Sequence, residues 1–388
     1  MGRKIVIIGS AWPLRGGLSA FNERIARQYA SIGDEVEIYT FSLQYPAILF
    51  PGKTQYSSEP APNDLKINVK INTVNPVTWF KTGNEIKNKK PDLVIIKFWI
   101  PFVAPSLGKI ARIIRKNGHS KVISIIDNII PHEKRPGDKQ LASYWVNSVD
   151  GFVTMSKAVL GELDLFDKEK PKMFCPHPLY DHYGTITDKS TAKKKLGLEH
   201  EYKYMLFFGF IRDYKGLDIL LQAMDHEYIK SNKIKLLVAG EFYTDSKPYF
   251  ELIEKHGLGD VVIMSNDFIP DSKVALYFNA CDVVVQPYKD ATQSGVTQIA
   301  YHFEKPIITT NVGGLAEIVP DNEVGFVTEP DVNEIQDAII RFYRGNKGDM
   351  FEKNVRKIKF KYSWDNMLAA IDSVAEMTQK KQNYDNTK

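Results

Sequence analysis

Short, almost continuously apolar runs alternate with segments of helical periodicity along most of the chain. In the first half these runs are Lys4-Ile8, Glu35-Thr40, Leu93-Lys97, Lys121-Ile126 and Gly151-Met155. A helical pattern from Leu18 to Ile32 follows the first run, and Gly33 stands where a C-terminal cap is expected. Strands that are apolar throughout and separated by helices are typical of a parallel sheet covered on both faces.

The second half repeats this rhythm. Its apolar runs are Tyr204-Phe208, Lys235-Ala239, Val261-Met264, Asp282-Gln286, Pro306-Thr310 and Gly325-Val327, with helical segments such as Gly216-Asp225 and Ser294-Phe303 between them. The stretch from Pro171 to Lys195 carries no strong periodicity and reads as the boundary between the halves. The sequence therefore predicts an α/β protein of two doubly wound domains.

Composition and charge narrow the class of protein. The 388 residues are 43% hydrophobic and 25% charged, which is ordinary for globular domains. Cys175 and Cys281 form neither a disulfide framework nor a thiolate metal motif, so a reducing, cytoplasmic compartment fits best. The longest uncharged apolar stretch, Phe98-Gly108, is 11 residues long and contains two prolines, too short to cross a bilayer.

Three glycine-containing or small-residue loops each join a strand to a helix. They are Gly9-Ser19, which holds Gly16 and Gly17; Gly209-Gly216, which holds Arg212 and Lys215; and Pro287-Gln298, which holds Ser294, Gly295, Val296 and Thr297. Amides at a helix start attract anions, and a guanidinium beside an ammonium suits a diphosphate. Each loop alone also fits an ordinary strand-to-helix turn. Together they favour a ligand cleft between the halves.

Two of these loops and one further segment carry a family resemblance: Phe208-Gly216, the Ser294-Gly295-Val296 turn and Asn311-Glu317. The chain resembles a family 4 glycosyltransferase, of glycosyltransferase group 1, with the GT-B fold. That fold has two Rossmann-like doubly wound domains facing a central cleft. The resemblance implies an acceptor-binding domain at residues 1–180, a donor-binding domain at 181–360, and a C-terminal helix at 361–388 that packs back on the first domain and ends in a frayed tail.

The resemblance further implies transfer of a sugar, typically a hexose, from a nucleotide-diphosphate sugar with retention of anomeric configuration. No metal or other cofactor is expected, because Arg212 and Lys215 match the pair that neutralises the diphosphate. Gly16 and Gly17 match the N-terminal loop that approaches it. Ser294, Gly295, Val296 and Thr297 match the turn beside the phosphates. The acceptor would be a saccharide or a lipid-linked glycan in surface polysaccharide synthesis.

Two departures from the family pattern bear on the site. The family's two glutamates would fall at Ala291 and Ile299, so both carboxylates are missing, and we expect Gln298 or Gln293 to replace them as neutral hydrogen-bonding groups. Many relatives carry a histidine where this chain has Asp127, and His132 follows five residues later. Asp127 and His132 are the predicted catalytic side chains of the first domain. An Asx turn and a structural histidine are the ordinary alternatives.

Charge is unevenly distributed between the halves. Residues 1–170 hold 24 Lys and Arg against 16 Asp and Glu, whereas the remainder holds 27 against 31. The helical stretch from Leu107 to Lys116 places an apolar stripe beside four cations, which predicts either a helix on an anionic membrane surface or a core helix with solvated charges. Nucleic acid is not indicated as a partner, since the second half is acidic. A non-catalytic nucleotide-sugar-binding module and a nucleotide-sugar epimerase remain alternative functions.

Overall fold

The computed structural model describes residues 2–46, 54–131, 135–291 and 294–386. Its strands are β1 (Lys4–Ile8), β2 (Glu35–Leu43), β3 (Lys66–Asn72), β4 (Leu93–Phe98), β5 (Lys121–Ile126), β6 (Gly151–Thr154), β7 (Lys172–Phe174), β8 (Lys203–Phe208), β9 (Ile234–Ala239), β10 (Val262–Ser265), β11 (Val283–Gln286), β12 (Ile307–Thr310) and β13 (Gly325–Thr328).

The α-helices are α1 (Gly17–Ser31), α2 (Pro76–Lys89), α3 (Ala104–Arg115), α4 (Asp138–Val146), α5 (Lys157–Leu163), α6 (Lys189–Lys195), α7 (Leu217–Ala223), α8 (Glu227–Ser231), α9 (Lys247–Lys255), α10 (Asp271–Ala280), α11 (Gly295–His302), α12 (Leu315–Ile318), α13 (Val332–Arg344), α14 (Gly348–Ile358) and α15 (Trp364–Asn386). None of these described helices combines the length and the apolar run that a membrane crossing requires.

The chain divides into two compact units. The first unit comprises Met1–Pro178 together with Ser363–Lys388, and the second comprises Leu179–Tyr362. The sequence-based boundaries, after residues 180 and 360, lie two residues from these divisions. The helix α15 belongs to the first unit: Asp372 accepts a hydrogen bond from the Arg3 guanidinium at 2.9 Å, and Val374 packs so closely on Gly151 that a Cβ there would lie 2.5 Å from it.

Each unit is built on one parallel sheet with a Rossmann-like strand order. The order is β3-β2-β1-β4-β5-β6-β7 in the first unit and β10-β9-β8-β11-β12-β13 in the second. In both, the order reverses beside the first strand of the unit, between β1 and β4 and between β8 and β11. Ligands of such sheets bind outside the carboxyl ends of the strands at that point. The predicted fold class of two doubly wound domains is confirmed.

The apolar pattern of the sequence does not predict two of the strands, β3 and β7, and the structure gives a physical reason. The strand β3 lies at the edge of its sheet, where residues such as Lys66 and Lys70 are exposed and a mixed polar sequence replaces the apolar run. The strand β7 has three residues, all partly exposed. The eleven other strands match predicted runs within a few residues, because strands covered on both faces must be apolar throughout.

The apolar stripe of α3 lies in the core of the first unit. Leu107, Ile110, Ala111 and Ile114 are fully buried and Ile113 is nearly so. Burial of a large aliphatic side chain stabilises the fold by roughly 1.5–3 kcal/mol, so this face would not be exchanged for lipid. The cations of the helix are engaged as well, Arg115 with Asp150 at 2.7 Å and Arg112 over the ring of Tyr144. The core-helix alternative is therefore correct for this segment.

Candidate functional site

The loop after β8 places two cations at the carboxyl edge of the second sheet. Residues Asp213–Lys215 form a short 3-10 turn, and Gly216, with a φ of 67°, directly precedes α7. Gly209, at a φ of 97°, starts the loop, and a Cβ there would lie 2.9 Å from Nζ of Lys215 and 3.7 Å from Val296. The glycine thus allows the ammonium and the first turn of α11 to approach the same backbone.

Neither cation of this loop has an acidic partner in the described part of the chain. Of the described residues, none forms an ion pair or hydrogen bond with the side chain of Arg212 or of Lys215; each faces a ring instead, Tyr243 at 5.1 Å and Tyr288 at 5.5 Å. Lys215 is buried. Burial lowers the pKa of the Lys215 ammonium, and the charge of Arg212 lowers it further. A buried cation without a counter-ion is costly and is suited to an anionic ligand.

The acids near this loop are engaged elsewhere. Asp218 pairs with Lys289 at 2.7 Å, and Asp213 accepts a hydrogen bond from the Tyr249 hydroxyl at 3.2 Å. Lys289 also donates its backbone N–H to the Tyr214 carbonyl at 2.7 Å, which ties the loop after β11 to the loop after β8. The two loops therefore form one surface, at the point where the strand order of the sheet reverses.

The turn before α11 is held by buried hydrogen bonds. The Ser294 hydroxyl accepts a hydrogen bond from the Gln286 amide at 2.9 Å and lies 3.2 Å from the Tyr288 hydroxyl. The Thr297 hydroxyl donates to the side-chain amide oxygen Oε1 of Gln286 at 2.9 Å, and Thr297 is fully buried. The Thr297 hydroxyl is therefore engaged within the second unit, and the assignment of Thr297 to the turn beside the phosphates stays a prediction. Gln286, which the sequence did not single out, positions both ends of the turn.

Glycine and small apolar side chains line the rest of this turn. A Cβ on Gly295 would lie 2.8 Å from the ring of Tyr180, so the backbone passes close to that ring. Val296 is largely buried. Gln298 is fully buried, and neither polar atom of its amide bonds a described group, so the side chain is not open to a ligand here. Ala291 and Ile299 are also buried. Gln293 lies outside the described residues.

In the first unit, Asp127 follows β5 and is paired. Its carboxylate lies 2.8 Å from Nζ of Lys97, a residue of β4 whose side chain is 2% exposed against 23% for Asp127. Nζ of Lys97 lies 3.7 Å from the centre of the Phe21 ring. Burial lowers the pKa of Lys97, and the Asp127 carboxylate opposes that change. The partly exposed Asp127 carboxylate is therefore paired with a buried lysine, Lys97, that the sequence analysis did not single out.

The cluster around Lys97 also contains a buried histidine. The His177 ring packs edge-on against Phe21 at 5.3 Å, and Nδ1 lies 2.7 Å from the Pro178 carbonyl. Burial, with the nearby Lys97 charge, lowers the pKa of His177 to about 3, so this side chain is neutral.

Gly16 precedes α1 with a φ of 97°, and Gly17 is the first residue of that helix. His132 lies outside the described residues.

Comparison with known proteins identifies the family. The model of the glycosyl transferases group 1 matches residues 188–384. An uncharacterized glycosyltransferase of Methanocaldococcus jannaschii is 26% identical over 236 residues, which cover 60% of this chain and 61% of that protein. A D-inositol 3-phosphate glycosyltransferase of Segniliparus rotundus is 30% identical over 204 residues, which cover 51% of this chain and 44% of that protein. The chain thus spans 61% and 44% of the length of these two relatives.

Solved structures share the fold. Anabaena HepE, in complex with UDP-glucose, matches with a TM-score of 0.72 at 16% identity, over 97% of this chain and 100% of that one. A sucrose-phosphate synthase from Thermosynechococcus elongatus matches with a TM-score of 0.70 at 15% identity, over the whole of both chains. These neighbours are GT-B glycosyltransferases. Because the family model covers half of the sequence and the fold agrees, the chain belongs to the glycosyl transferases group 1.

Proposed function

We propose that this glycosyltransferase moves a hexose from a nucleotide-diphosphate sugar to a saccharide or lipid-linked acceptor, with retention of anomeric configuration and without a metal ion. Its place would be surface glycan synthesis in the cytoplasm, at or near the inner face of the membrane. The observation that carries the proposal is the pair Arg212 and Lys215, which lies beside α11 and has no acidic partner among the described residues.

The chemistry of this pair suits a departing diphosphate. As the bond to the anomeric carbon breaks, negative charge grows on the leaving phosphate oxygens. The buried Lys215 ammonium and the Arg212 guanidinium are already in position, so they stabilise that charge without reorganisation, as a metal ion does in other enzymes. First-turn amides of α11 add partial positive charge at the same edge of the sheet. No protein nucleophile is required.

In the first unit we assign the sugar-facing role to Asp127. Nζ of Lys97 lies 2.8 Å from this carboxylate, and the exposed part of the Asp127 side chain can accept a hydrogen bond from a sugar hydroxyl. Gly16 and Gly17 would admit the phosphates at the start of α1, where a side chain would obstruct them. His132 stays a candidate proton acceptor for the incoming hydroxyl. In this proposal the first unit contributes these groups, and in the second unit Arg212 and Lys215 stabilise the leaving group.

Two further observations support the choice of substrates. HepE, which shares the fold, binds UDP-glucose, so a uridine nucleotide is the first donor to test. The surplus of Lys and Arg in residues 1–170 supports association with an anionic membrane surface that carries a lipid-linked acceptor. This membrane proposal now depends on surface charge, since the apolar stripe of α3 is in the core.

The test compares donor binding with turnover. The purified chain is titrated by calorimetry with UDP-, GDP- and ADP-sugars, and release of free nucleoside diphosphate is followed by mass spectrometry with and without saccharide and lipid acceptors. We expect one donor to bind and its nucleoside diphosphate to be released faster when acceptor is present. The anomeric proton coupling of the product should match that of the donor. Binding without turnover under every condition would instead favour a binding module. Absence of binding would overturn the proposal.

A further inference from the structure

A strongly basic segment lies near the end of the second unit. Residues 341–361 contain eight Lys and Arg against two acids, whereas the other residues after position 170 contain 19 Lys and Arg against 29 Asp and Glu. The segment comprises the last turn of α13, the helix α14 and most of the 3-10 turn Lys359–Tyr362. Positive charge concentrated in an otherwise acidic part of the chain points to an anionic partner at this place.

One face of α14 exposes cations and apolar side chains together. Met350, Lys353 and Lys357 are three and four positions apart, so they lie on the same side of the helix, and all three are exposed. Phe360 and Lys361 follow in the 3-10 turn and are exposed as well. Phe360 is 73% exposed and Met350 is 41% exposed. We refer to Met350, Lys353, Lys357, Phe360 and Lys361 as the basic face.

The opposite side of α14 is packed in the core, which keeps the basic face directed outward. Phe351 and Val355 are fully buried. The Phe351 ring packs edge-on against Phe326 at 5.3 Å and is stacked on Phe342 at 6.2 Å. A helix held in this way cannot rotate to bury the exposed ring that follows it, so the apolar surface of the basic face needs a partner outside the unit.

Two acids beside the helix pair with cations outside the basic face. The Glu304 carboxylate lies 2.6 Å from Arg356 and 2.8 Å from Lys359, which ties the 3-10 turn to the body of the unit. Glu352 lies 3.6 Å from Nζ of Lys305. These carboxylates therefore hold the turn in place and do not neutralise the basic face.

The basic face is separate from the proposed diphosphate site. Glu304 and Lys305, which contact the turn and α14, directly precede β12, so these contacts lie at the amino ends of the strands of the second sheet. Arg212 and Lys215 follow the carboxyl end of β8, and all strands of this sheet are parallel. Substitutions in the basic face should therefore leave donor binding intact.

We infer that the basic face docks the chain on an anionic lipid surface, with the Phe360 ring inserted among the headgroups. The inference rests on the membrane association in the proposed function and assigns it to a face of the second unit. The negative potential of such a surface attracts lysines, and an exposed ring beside them buries apolar area at the headgroup boundary. A nucleic acid is less suited, because an exposed phenylalanine and methionine add nothing to phosphate contacts.

Sedimentation with vesicles tests the lysines of the basic face. The full chain is mixed with vesicles of phosphatidylcholine that contain about 30% phosphatidylglycerol, and with phosphatidylcholine alone. One lysine near an anionic surface changes the partition about fivefold, so Lys353→Gln combined with Lys357→Gln should lower partition to the anionic vesicles at least tenfold. Lys247→Gln combined with Lys255→Gln is the matched control, because it removes the same charge from exposed positions of α9 and should change partition less than twofold.

A second pair of variants tests insertion of the ring. Phe360→Ser should lower partition to the anionic vesicles at least threefold, and Phe360→Trp should retain it, because tryptophan favours the membrane interface. All variants should bind a nucleoside diphosphate as the wild type does.

Three outcomes would overturn the inference. The first is equal partition of the wild type and the variant lacking Lys353 and Lys357, and the second is an equal loss in the α9 control, since the effect would then come from overall charge. The third is unchanged partition of Phe360→Ser together with tight binding of a single-stranded oligonucleotide, which would indicate a polyanion site. If the wild type does not sediment with anionic vesicles, the membrane part of the proposed function fails too, whereas its transfer activity is tested separately by donor titration.

Discussion

Two buried lysines lie at the carboxyl edges of two sheets with the same strand order, and their surroundings differ. Lys97, in the first unit, has Asp127 at 2.8 Å and the Phe21 ring at 3.7 Å. Lys215, in the second, has an aromatic neighbour, Tyr288, and a second cation, Arg212, but no acidic partner among the described residues. The fold pairs Lys97 with a carboxylate, whereas Lys215 lacks one among the described residues. Lys97 is therefore suited to positioning Asp127, and Lys215 is suited to binding an anionic ligand.

Removal of the Lys97 ammonium should give the largest change in stability. Lys97→Met leaves the Asp127 carboxylate without its buried partner, and breaking such a pair costs about 3–5 kcal/mol when both groups are buried. Because Asp127 is 23% exposed, we expect a decrease of about 2–3 kcal/mol in the free energy of unfolding. Urea unfolding monitored by circular dichroism measures it. A loss below the error of the measurement would contradict the assigned pair.

Acid should weaken the first unit through His177. Its pKa is about 3 in the fold against about 6.5 in the unfolded chain, so below pH 6.5 the unfolded state binds a proton that the folded state does not. Stability therefore falls as pH falls from about 6.5 towards 3, and by pH 5 the loss from this group is ~2 kcal/mol.

Urea unfolding at pH 7 and pH 5 checks this titration. The difference in the free energy of unfolding between pH 7 and pH 5 should be smaller in His177→Gln than in the wild type. It should stay unchanged in His200→Gln, where the replaced side chain is exposed. An equal pH dependence in the wild type and in His177→Gln would show that His177 is not the group responsible.

Removal of the Lys215 ammonium should act on turnover rather than on stability. Lys215→Gln is expected to lower turnover at least tenfold, which corresponds to about 1.4 kcal/mol of transition-state stabilisation. The free energy of unfolding should not fall, since an uncompensated buried charge is removed. Initial rates and urea unfolding are compared with those of Lys247→Gln, since the Lys247 side chain is 78% exposed. Near-normal turnover would refute the role of Lys215, and a loss of stability like that of Lys97→Met would erase the difference between the lysines.

The smallest effect tests whether Asp127 acts through its charge. Asp127→Asn should lower turnover by a few fold, and Lys97→Met combined with Asp127→Asn should be less destabilised than the sum of the single variants by roughly 1 kcal/mol, because the two groups are in contact. A double-mutant cycle in urea measures this coupling. Additive changes would mean that the 2.8 Å pair contributes nothing.

The sequence predicts those parts of the fold whose physical constraint is local. Strands covered on both faces are apolar runs, so nearly all appear in the pattern, whereas β3 does not because most of its side chains are exposed or partly exposed. Arg212, Lys215 and the Ser294 turn are readable because each follows a strand directly. Lys97 stands alone in the apolar strand Leu93–Phe98, and that isolation was the available signal for a buried ion pair.

Other parts of the site depend on contacts between distant segments. Arg212 and the Tyr243 ring that it faces follow two different strands, β8 and β9, and spacing along the chain does not encode that these strands are neighbours. The same holds for Gln286, whose amide fixes both Ser294 and Thr297, and for the enclosure of Gln298 within α11 packing. Positions in a motif predict Thr297 and Gln298 as residues that contact a ligand. The directions of their side chains, however, depend on how α11 packs, and both residues are fully buried.

The most direct test of the account is calorimetric titration of UDP, GDP and ADP into the wild type, Lys215→Gln and Lys97→Met, at a temperature where all three are folded. The account predicts that at least one nucleotide binds the wild type, that Lys215→Gln loses at least tenfold in affinity, and that Lys97→Met retains it, because its cation is already paired. Equal affinity of the wild type and Lys215→Gln would contradict the claim that the unpaired lysine holds the diphosphate.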